Sequence, residues 1–380
     1  MDVRFLGTAG PAGWPQPGCR CASCLRAAAG GGRSPGRVLV DGTLLVHPGS
    51  PPRPAAPGES GTAPSGGTGQ GGHLVSEVPG GWEITGPDGA RLLITAGPGQ
   101  VPEPRSGTAP FDIVVLDLLA SPAQLGGLRA RGLAGPGTIA AAWCADHRIA
   151  SERELARRCG YWDAVVPAEG GTLRAPVPVP NAPAADALAD RRLPHRTLIL
   201  GGARSGKSRE AELRLAAQPE VTYVAAGPFS GEWTGADGSP DGEWAQRVAA
   251  HQARRPAWWH TVETTDLAAQ LRRLSGAVLV DGIGTWLAAM LDAEGAWREP
   301  PGDAGSAARI EARVDDLVAA WRAAGGRIVA VSDQVGSGVV PAFAAGRLFR
   351  DQLGWLNQRL AAESEETVLV VAGLPVALQT

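Results

Sequence analysis

The chain is poor in lysine, tyrosine and methionine, and it has no long apolar run. Its 380 residues include one lysine, two tyrosines and two methionines. No stretch approaches the roughly 20 apolar residues of a membrane span, and residues 1–5 lack the pattern of a signal peptide. A formal net charge of −3 disfavours a general nucleic-acid binder, whose surface is normally basic. We therefore expect a cytoplasmic protein with no membrane span and no nucleic-acid partner.

The single lysine lies in a glycine-rich segment, Gly201-Gly202-Ala203-Arg204-Ser205-Gly206-Lys207-Ser208. An apolar run, 198–200, precedes this segment, and a stretch with helical composition, 209–215, follows it. This context predicts a phosphate-binding loop, in which backbone N–H groups and the helix N-terminus surround a phosphate chain. We expect Lys207 to reach the β- and γ-phosphates of a nucleotide and Ser208 to ligate Mg²⁺. Because the other basic residues are 34 arginines, a compact ammonium at this one place fits phosphate binding.

Two halves with different patterns are separated by a proline-rich stretch, 175–195. In the second half, five short apolar strands alternate with helical stretches, at 197–200, 221–225, 277–280, 328–331 and 368–371. This alternation predicts an α/β fold, a P-loop NTPase core built on a mainly parallel sheet. We expect a first domain at 1–178, a linker at 179–195 and a P-loop domain at 196–380.

Asp281 follows one of these strands directly, at 277–280. An acid at the carboxyl end of a strand can complete the ligand shell of Mg²⁺ beside a phosphate loop. It can also cap the helix that we expect to begin near Thr285.

A histidine lies among arginines in the predicted helix around His251. Arg247, His251 and Arg255 are spaced i, i+4 and i+8, and Arg254 is three residues from the histidine, so they share a helix face. Such a face is either a solvated basic surface or a phosphate site with a neutral histidine that can act as a nucleophile. The residues alone leave both interpretations open.

Residues 196–380 resemble the bifunctional adenosylcobinamide kinase/adenosylcobinamide-phosphate guanylyltransferase family along nearly their whole length. The matching motifs are the phosphate loop, Tyr223-Val224-Ala225, Arg247 with His251, Arg255-Pro256 with Trp259, Thr261 and Glu263, Gly336 with Gly338 to Pro341, Phe349-Arg350-Asp351, and Gly354 with 357–361. The resemblance implies that His251 becomes guanylylated. It also implies that Glu263 contacts the nucleotide and that the protein forms a trimer. Arg254 and Arg255 on the basic helix face, and Asp281 at its strand end, are our further candidates for nucleotide binding.

The implied reactions are phosphorylation of adenosylcobinamide by ATP or GTP with Mg²⁺, and then transfer of GMP from GTP through a histidine–GMP intermediate. Asp333-Gln334 departs from the Asn-Glu that the family pattern leads us to expect. Two rival functions are a P-loop kinase without guanylyl transfer and a nucleotide-sensing binding protein.

The first half resembles the metallo-β-lactamase fold, an αββα sandwich. The resemblance rests on Phe5-Leu6-Gly7-Thr8, on a hairpin at 37–46, and on 111–116 followed by Leu125-Gly126-Gly127-Leu128. The metal motif H-x-H-x-D-H of the hydrolases is absent from the sequence. We therefore expect a degenerate domain that has lost hydrolysis, and an active hydrolase with unusual ligands is the alternative.

Cys19, Cys21 and Cys24 form a C-x-C-x-x-C cluster. Three thiolates can hold three corners of a tetrahedral Zn²⁺. In the phosphodiesterase branch of the metallo-β-lactamase fold, a similar cluster is completed by the second histidine of a late H-x-x-H, and Cys144-Ala145-Asp146-His147 corresponds to that place. The resemblance thus implies His147 as the fourth ligand of a structural zinc. Surface cysteines that bind no metal are the alternative, and we expect Cys159 to be a packed helix residue.

Overall fold

The computed structural model describes residues 1–56, 58, 72–99, 101, 109–175, 195–227, 255–297 and 305–379. Two compact units are present, Met1–Arg191 with Ala216–Pro219, and Arg192–Leu215 with Glu220–Thr380. The predicted linker, 179–195, lies outside the described residues except for His195, so the predicted domain bounds stay a prediction. Within the described ranges, no helix combines the length and the apolar character needed to cross a bilayer.

The first unit contains two five-stranded sheets. Its strands are β1 (Asp2–Gly7), β2 (Arg37–Val40), β3 (Leu44–Val46), β4 (Arg53–Pro54), β5 (Leu74–Val78), β6 (Gly81–Thr85), β7 (Arg91–Thr95), β8 (Ile113–Leu116), β9 (Ile139–Ala142) and β10 (Thr172–Arg174). One sheet has the order β10-β1-β2-β3-β4 and is antiparallel. The other has the order β5-β6-β7-β8-β9 and is parallel from β7 to β9.

An apolar core is shared by these two sheets. Phe5 and Val38 from the first sheet and Ile94 and Val115 from the second are buried in the same apolar cluster. In the part of this unit that the structure describes, the helices are α1 (Ala22–Ala29), α2 (Ala123–Ala130) and α3 (Glu152–Tyr161). The first unit is therefore a sandwich of two sheets with helices.

The second unit is built on one seven-stranded sheet. Its strands are β11 (Arg196–Gly201), β12 (Val221–Ala226), β13 (His260–Thr264), β14 (Ala277–Asp281), β15 (Arg327–Asp333), β16 (Glu366–Val371) and β17 (Leu374–Gln379). The helices among its described residues are α4 (Lys207–Leu215), α5 (Leu267–Arg273), α6 (Ile283–Ala293), α7 (Ser306–Ala323) and α8 (Ala344–Ala362). The strand order is β13-β12-β14-β15-β11-β16-β17, and only β17 runs antiparallel to its neighbour. The predicted α/β architecture with a mainly parallel sheet is thus present.

Alternate residues of β11 bury into opposite faces of this sheet. Leu198 and Leu200 belong to the cluster that also contains α6, α7 and α8, whereas Ile199 packs with Leu215 of the helix that follows the phosphate loop. Helices therefore cover both faces, as a parallel sheet requires. The phosphate loop begins at the carboxyl end of β11.

Two helix starts differ from the sequence predictions. The helix α4 begins at Lys207, two residues before the predicted start. The helix α6 begins at Ile283, and its N-cap residue is Gly282 with φ of 96°, so the alternative role of Asp281 as a helix cap is wrong. Glycine suits this position because it adopts positive φ without a Cβ clash.

Candidate functional site

The phosphate loop connects β11 to α4 with a tightly curved backbone. Arg204 and Gly206 adopt left-handed conformations, with φ of 57° and 97°. A Cβ added at Gly201 would lie 2.4 Å from Ser205 Oγ and 2.9 Å from the carbonyl oxygen of Val370, so a side chain there would collide. The N–H of Gly373, in the β16–β17 turn, donates to the carbonyl of Ser205 (2.8 Å) and supports the loop from outside. Such a loop before a helix N-terminus is suited to binding phosphate.

Lys207 spans this loop and reaches the next strand. Its Nζ donates to the carbonyl of Gly202 (3.2 Å) and lies 2.9 Å from Asp333 Oδ1. Asp333 ends β15, which pairs with β11 so that Gly201 and Asp333 are direct neighbours. The only ammonium side chain of the protein is thus held over the loop by a carboxylate that a bound anion could replace.

Ser208 and Asp281 lie side by side beneath the loop. Ser208 Oγ is 3.5 Å from Asp281 Oδ1, and the other carboxylate oxygen accepts a hydrogen bond from the hydroxyl of Tyr223 (2.6 Å). Oxygen atoms placed in this way can serve as two ligands of one Mg²⁺. Tyr223 is almost fully buried. Its pKa is raised, first by burial and then by the nearby charge of Asp281, so its hydroxyl remains a donor.

Arg255 extends this cluster toward the sheet edge. Its guanidinium lies 3.6 Å from the centre of the Tyr223 ring, and its Nη1 donates to Thr261 Oγ1 (3.2 Å). Glu263 lies two residues further along β13, opposite Ala225 of β12. The predicted nucleotide contacts Arg255, Glu263 and Asp281 therefore lie on the neighbouring strands β12, β13 and β14 or next to them. Arg247, His251 and Arg254 lie outside the described residues.

A buried ionic cluster fixes the helix that follows the loop. Arg214 of α4 contacts Glu210 on the same helix (3.2 Å) and both carboxylate oxygens of Glu366 on β16. Thr197 of β11 donates to Glu366 as well (3.2 Å). Because all the charges are paired, the buried cluster positions α4 against two strands.

In the first unit, the four predicted zinc ligands lie together. The ligand atoms of Cys19, Cys21, Cys24 and His147 lie within 4.8 Å of one another, and Cys19 Sγ is 3.6 Å from His147 Nδ1. The backbone N–H of Cys24 donates to Cys21 Sγ (3.4 Å) and lowers the pKa of that thiol, whereas burial raises the pKa of the Cys24 thiol. Sulfur atoms bound to one Zn²⁺ are about 3.8 Å apart, so this donor set fits the ion.

The end of β8 carries a different arrangement. Asp117 is buried and accepts two hydrogen bonds from Arg148 Nη2 (3.1 and 3.2 Å), and the same nitrogen donates to the carbonyl of Cys144 (3.1 Å). Burial raises the pKa of the Cys144 thiol. Cys159 is packed in α3, as expected, and burial raises the pKa of its thiol to about 12.

Sequence reasoning did not assign two site residues. Asp333 is the last residue of its strand just as Asp281 is, so the rule of an acid at a strand end could have identified it. Tyr223 lies inside a strand, and only the tertiary structure places its hydroxyl on Asp281.

Comparisons with known proteins concern about half of the chain. A family model for "Cobinamide kinase / cobinamide phosphate guanyltransferase" matches residues 197–378. The bifunctional adenosylcobalamin biosynthesis protein CobP of Pseudomonas aeruginosa is 40% identical over 190 residues, which cover 48% of this chain and 97% of that protein. The bifunctional adenosylcobalamin biosynthesis protein CobU of Salmonella typhimurium is 36% identical over 195 residues, 48% of this chain and 98% of that protein.

A solved structure of an ATPase from the type III secretion system of pathogenic bacteria aligns with 48% of this chain and 56% of its own chain. Its TM-score is 0.30 and its sequence identity 15%.

Proposed function

Because the chain belongs to the cobinamide kinase / cobinamide phosphate guanyltransferase family, we propose that it phosphorylates adenosylcobinamide and then adds GMP to give adenosylcobinamide-GDP. The observation that carries this proposal is the phosphate loop, where Lys207, Ser208 and two strand-end carboxylates meet. GTP radiolabelled at its α-phosphate tests it, because the label should pass first to the protein and then to the corrinoid.

In the kinase step, the phosphate loop holds the triphosphate of ATP or GTP. The substrate hydroxyl oxygen bonds to the γ-phosphorus, and the bond from that phosphorus to the β–γ bridging oxygen breaks. The nucleoside diphosphate leaves with that electron pair, and the hydroxyl proton passes to water. Lys207 leaves Asp333 and neutralises charge on the transferring phosphoryl group. Ser208 and Asp281 would hold Mg²⁺, which supplies further charge stabilisation when bound.

In the guanylyl step, we assign the nucleophile to His251 by family resemblance. An imidazole nitrogen bonds to the α-phosphorus of GTP, and the bond to the departing pyrophosphate breaks. A phosphate oxygen of cobinamide phosphate then attacks the same phosphorus and releases the histidine. Arg254, Arg255 and Glu263 are the proposed nucleotide contacts, and the stacking of Arg255 on Tyr223 holds one of them near Asp281.

Replacing Tyr223 by phenylalanine should weaken the use of Mg²⁺ in the kinase step. Loss of the hydroxyl removes the hydrogen bond that orients Asp281, and losing such a contact typically costs about tenfold to 100-fold in metal affinity. Titrating Mg²⁺ against the initial rate should show the half-saturation point rising by about tenfold, with kcat recovered at high Mg²⁺. Tyr161→Phe changes the protein's other tyrosine, in α3, and is the matched control. An unchanged Mg²⁺ titration in Tyr223→Phe would show that the Tyr223 hydroxyl does not position Asp281 for Mg²⁺ binding.

We also propose that the first unit is a degenerate metallo-β-lactamase-like αββα domain without hydrolase activity. Two sheets that share a core support this fold. Arg148 occupies the end of β8 by pairing with the buried Asp117, and Cys144 is buried as well. A guanidinium at this place disfavours the cation pair that the hydrolases of this fold use.

Cys19, Cys21, Cys24 and His147 are the proposed ligands of one structural Zn²⁺. Four protein ligands complete a tetrahedral shell, which leaves no open position for the water that hydrolysis needs. Because the thiolates must stay reduced, we place the protein in the cytoplasm.

Replacing Cys19 by serine should release this zinc without impairing guanylyl transfer. The purified wild type should contain roughly one zinc ion per chain, and the variant should lose most of it together with thermal stability of the first unit. Elemental analysis and thermal unfolding measure both effects, and Cys159→Ala, outside the cluster, should keep its zinc. Two metals per chain with phosphodiesterase turnover would contradict the proposal.

Both activities are assigned to the second unit alone. The curated relatives are matched along 97% and 98% of their length by only 48% of this chain. A fragment of residues 196–380 should therefore retain both reactions. By family resemblance it should also sediment as a trimer, and exposed apolar side chains such as Val339, Phe343 and Leu374 are available for packing between copies. An inactive fragment beside an active full chain would contradict the assignment of both activities to the second unit. An active fragment that sediments as a monomer would contradict the trimer.

A further inference from the structure

A groove of about 450 Å³ lies in the second unit, between α8, the loop after β15, and the β16–β17 hairpin. None of the side chains that line it carries a formal charge. Four of them are carboxamides, those of Gln334, Asn357, Gln358 and Gln379. Gln334, Asn357 and Gln379 each donate one hydrogen bond to a protein oxygen, and each amide keeps further donor or acceptor capacity. The groove therefore offers uncharged polar contacts to a neutral ligand, and no cation to a phosphate.

Two features of the groove favour a bound ligand. The hydroxyl of Thr367 lines it, is buried, and has no hydrogen-bond partner among the described residues. Gly354 lies in the interior of the 19-residue helix α8, where glycine is a poorer helix former than alanine. A Cβ added at Gly354 would meet no atom within 4 Å, so the missing side chain leaves the groove open.

The groove is connected to the phosphate loop through the end of β15. Asn357 accepts a hydrogen bond from Ser332 Oγ (2.6 Å) and donates to the carbonyl of Asp333 (3.1 Å). Asp333 contacts Lys207, whereas the next residue, Gln334, lines the groove. Side chains of successive residues at a strand end point to opposite sides of the sheet. The end of β15 can therefore contribute Asp333 to the phosphate loop and Gln334 to the groove.

The groove lies away from the proposed nucleotide contacts. Arg255, Glu263 and Asp281 belong to the side of the sheet formed by β12, β13 and β14. The groove belongs to β15, β11, β16 and β17, on the other side in the strand order. The Lys207–Asp333 pair lies at the junction, where a phosphoryl group would pass from nucleotide to acceptor.

We propose that this groove binds the amide-bearing periphery of the corrinoid acceptor. This assignment rests on the proposed function, since cobinamide carries uncharged carboxamide side chains. Carboxamides of the protein can pair with them through reciprocal N–H to carbonyl hydrogen bonds, and the Thr367 hydroxyl gains a partner. We place the nucleobase with the proposed contacts on β13 and β14, which do not line the groove.

The test measures the KM for cobinamide and for ATP separately in the kinase reaction of the full-length protein, with equilibrium dialysis of cobinamide as a direct binding readout. Gly354→Leu should raise the cobinamide KM at least about tenfold by filling the groove, and leucine favours the helix over glycine. Gln358→Ala should raise it about threefold to tenfold, the effect of one lost hydrogen bond. Gln352→Ala, a glutamine of α8 outside the groove, is the matched control. The KM for ATP should not change in any of them.

A wild-type cobinamide KM in both Gly354→Leu and Gln358→Ala would overturn the groove while leaving the proposed function intact. A rise in the KM for ATP or GTP instead would make the groove a nucleotide site and overturn it too. If Gly354→Leu fails to fold, Gln358→Ala alone decides. A wild-type protein that neither binds nor phosphorylates cobinamide would overturn the proposed function, and the groove assignment with it.

Discussion

Replacing Lys207 by arginine should lower the rate of cobinamide phosphorylation at least about 100-fold, the cost of losing one preorganised charge contact. The Nζ of Lys207 sits between the carbonyl of Gly202 and the carboxylate of Asp333, 3.2 and 2.9 Å away. A guanidinium is larger and planar, and it cannot replace a compact ammonium between these groups and a phosphate. Initial rates of phosphorylation at saturating nucleotide measure the effect.

Arg209→Lys, the reverse exchange at an exposed position of α4, is the control for Lys207→Arg. It should keep its rate, because Arg209 follows the loop and takes no proposed part in phosphate binding. Thermal unfolding should show that Lys207→Arg is folded. A phosphorylation rate in Lys207→Arg equal to that of the wild type would refute the assignment of the phosphate loop.

Replacing His251 by alanine should eliminate covalent GMP on the protein and leave phosphorylation of cobinamide detectable. Without the imidazole there is no nitrogen to form the bond to the α-phosphorus, whereas the phosphate loop, Ser208 and Asp281 are unchanged. The measurement is protein-bound label after incubation with GTP radiolabelled at the α-phosphate. His260→Ala is the matched control, since His260 is an exposed histidine at the start of β13. Label that persists in His251→Ala but disappears in His260→Ala would move the nucleophile to His260.

The sequence predicted those strands of the second unit that are apolar, because a strand buried on both faces is a continuous apolar run. It missed β13 and β17. The segment that forms β13 has the composition His-Thr-Val-Glu-Thr and pairs on one side only. The strand β17 follows a tight turn in which Ala372 and Gly373 have φ of 51° and 77°. Positive φ at both central residues is typical of a hairpin, so Ala-Gly between apolar runs was a usable signal.

The candidate site was predictable where a residue type follows from local chemistry. The phosphate loop and Asp281 could be proposed from the sequence because glycine spacing and strand ends are local properties. The Lys207–Asp333 pair and the Tyr223–Asp281 hydrogen bond depend on which strands are neighbours, and strand order is a tertiary property. For the same reason, the ion pair between Arg148 and Asp117 was not predicted. His147 was placed beside the cysteines only through the resemblance to a known family.

The most direct test of bifunctional chemistry is a labelling and chase experiment with the full-length wild-type protein, Mg²⁺ and GTP radiolabelled at the α-phosphate. We expect label on the protein that is labile to acid and stable to base, as a phosphoramidate is. Adding adenosylcobinamide and ATP should then move that label into adenosylcobinamide-GDP. Phosphorylated corrinoid without any labelled protein would instead identify a kinase alone, and bound nucleotide without turnover would identify a nucleotide sensor.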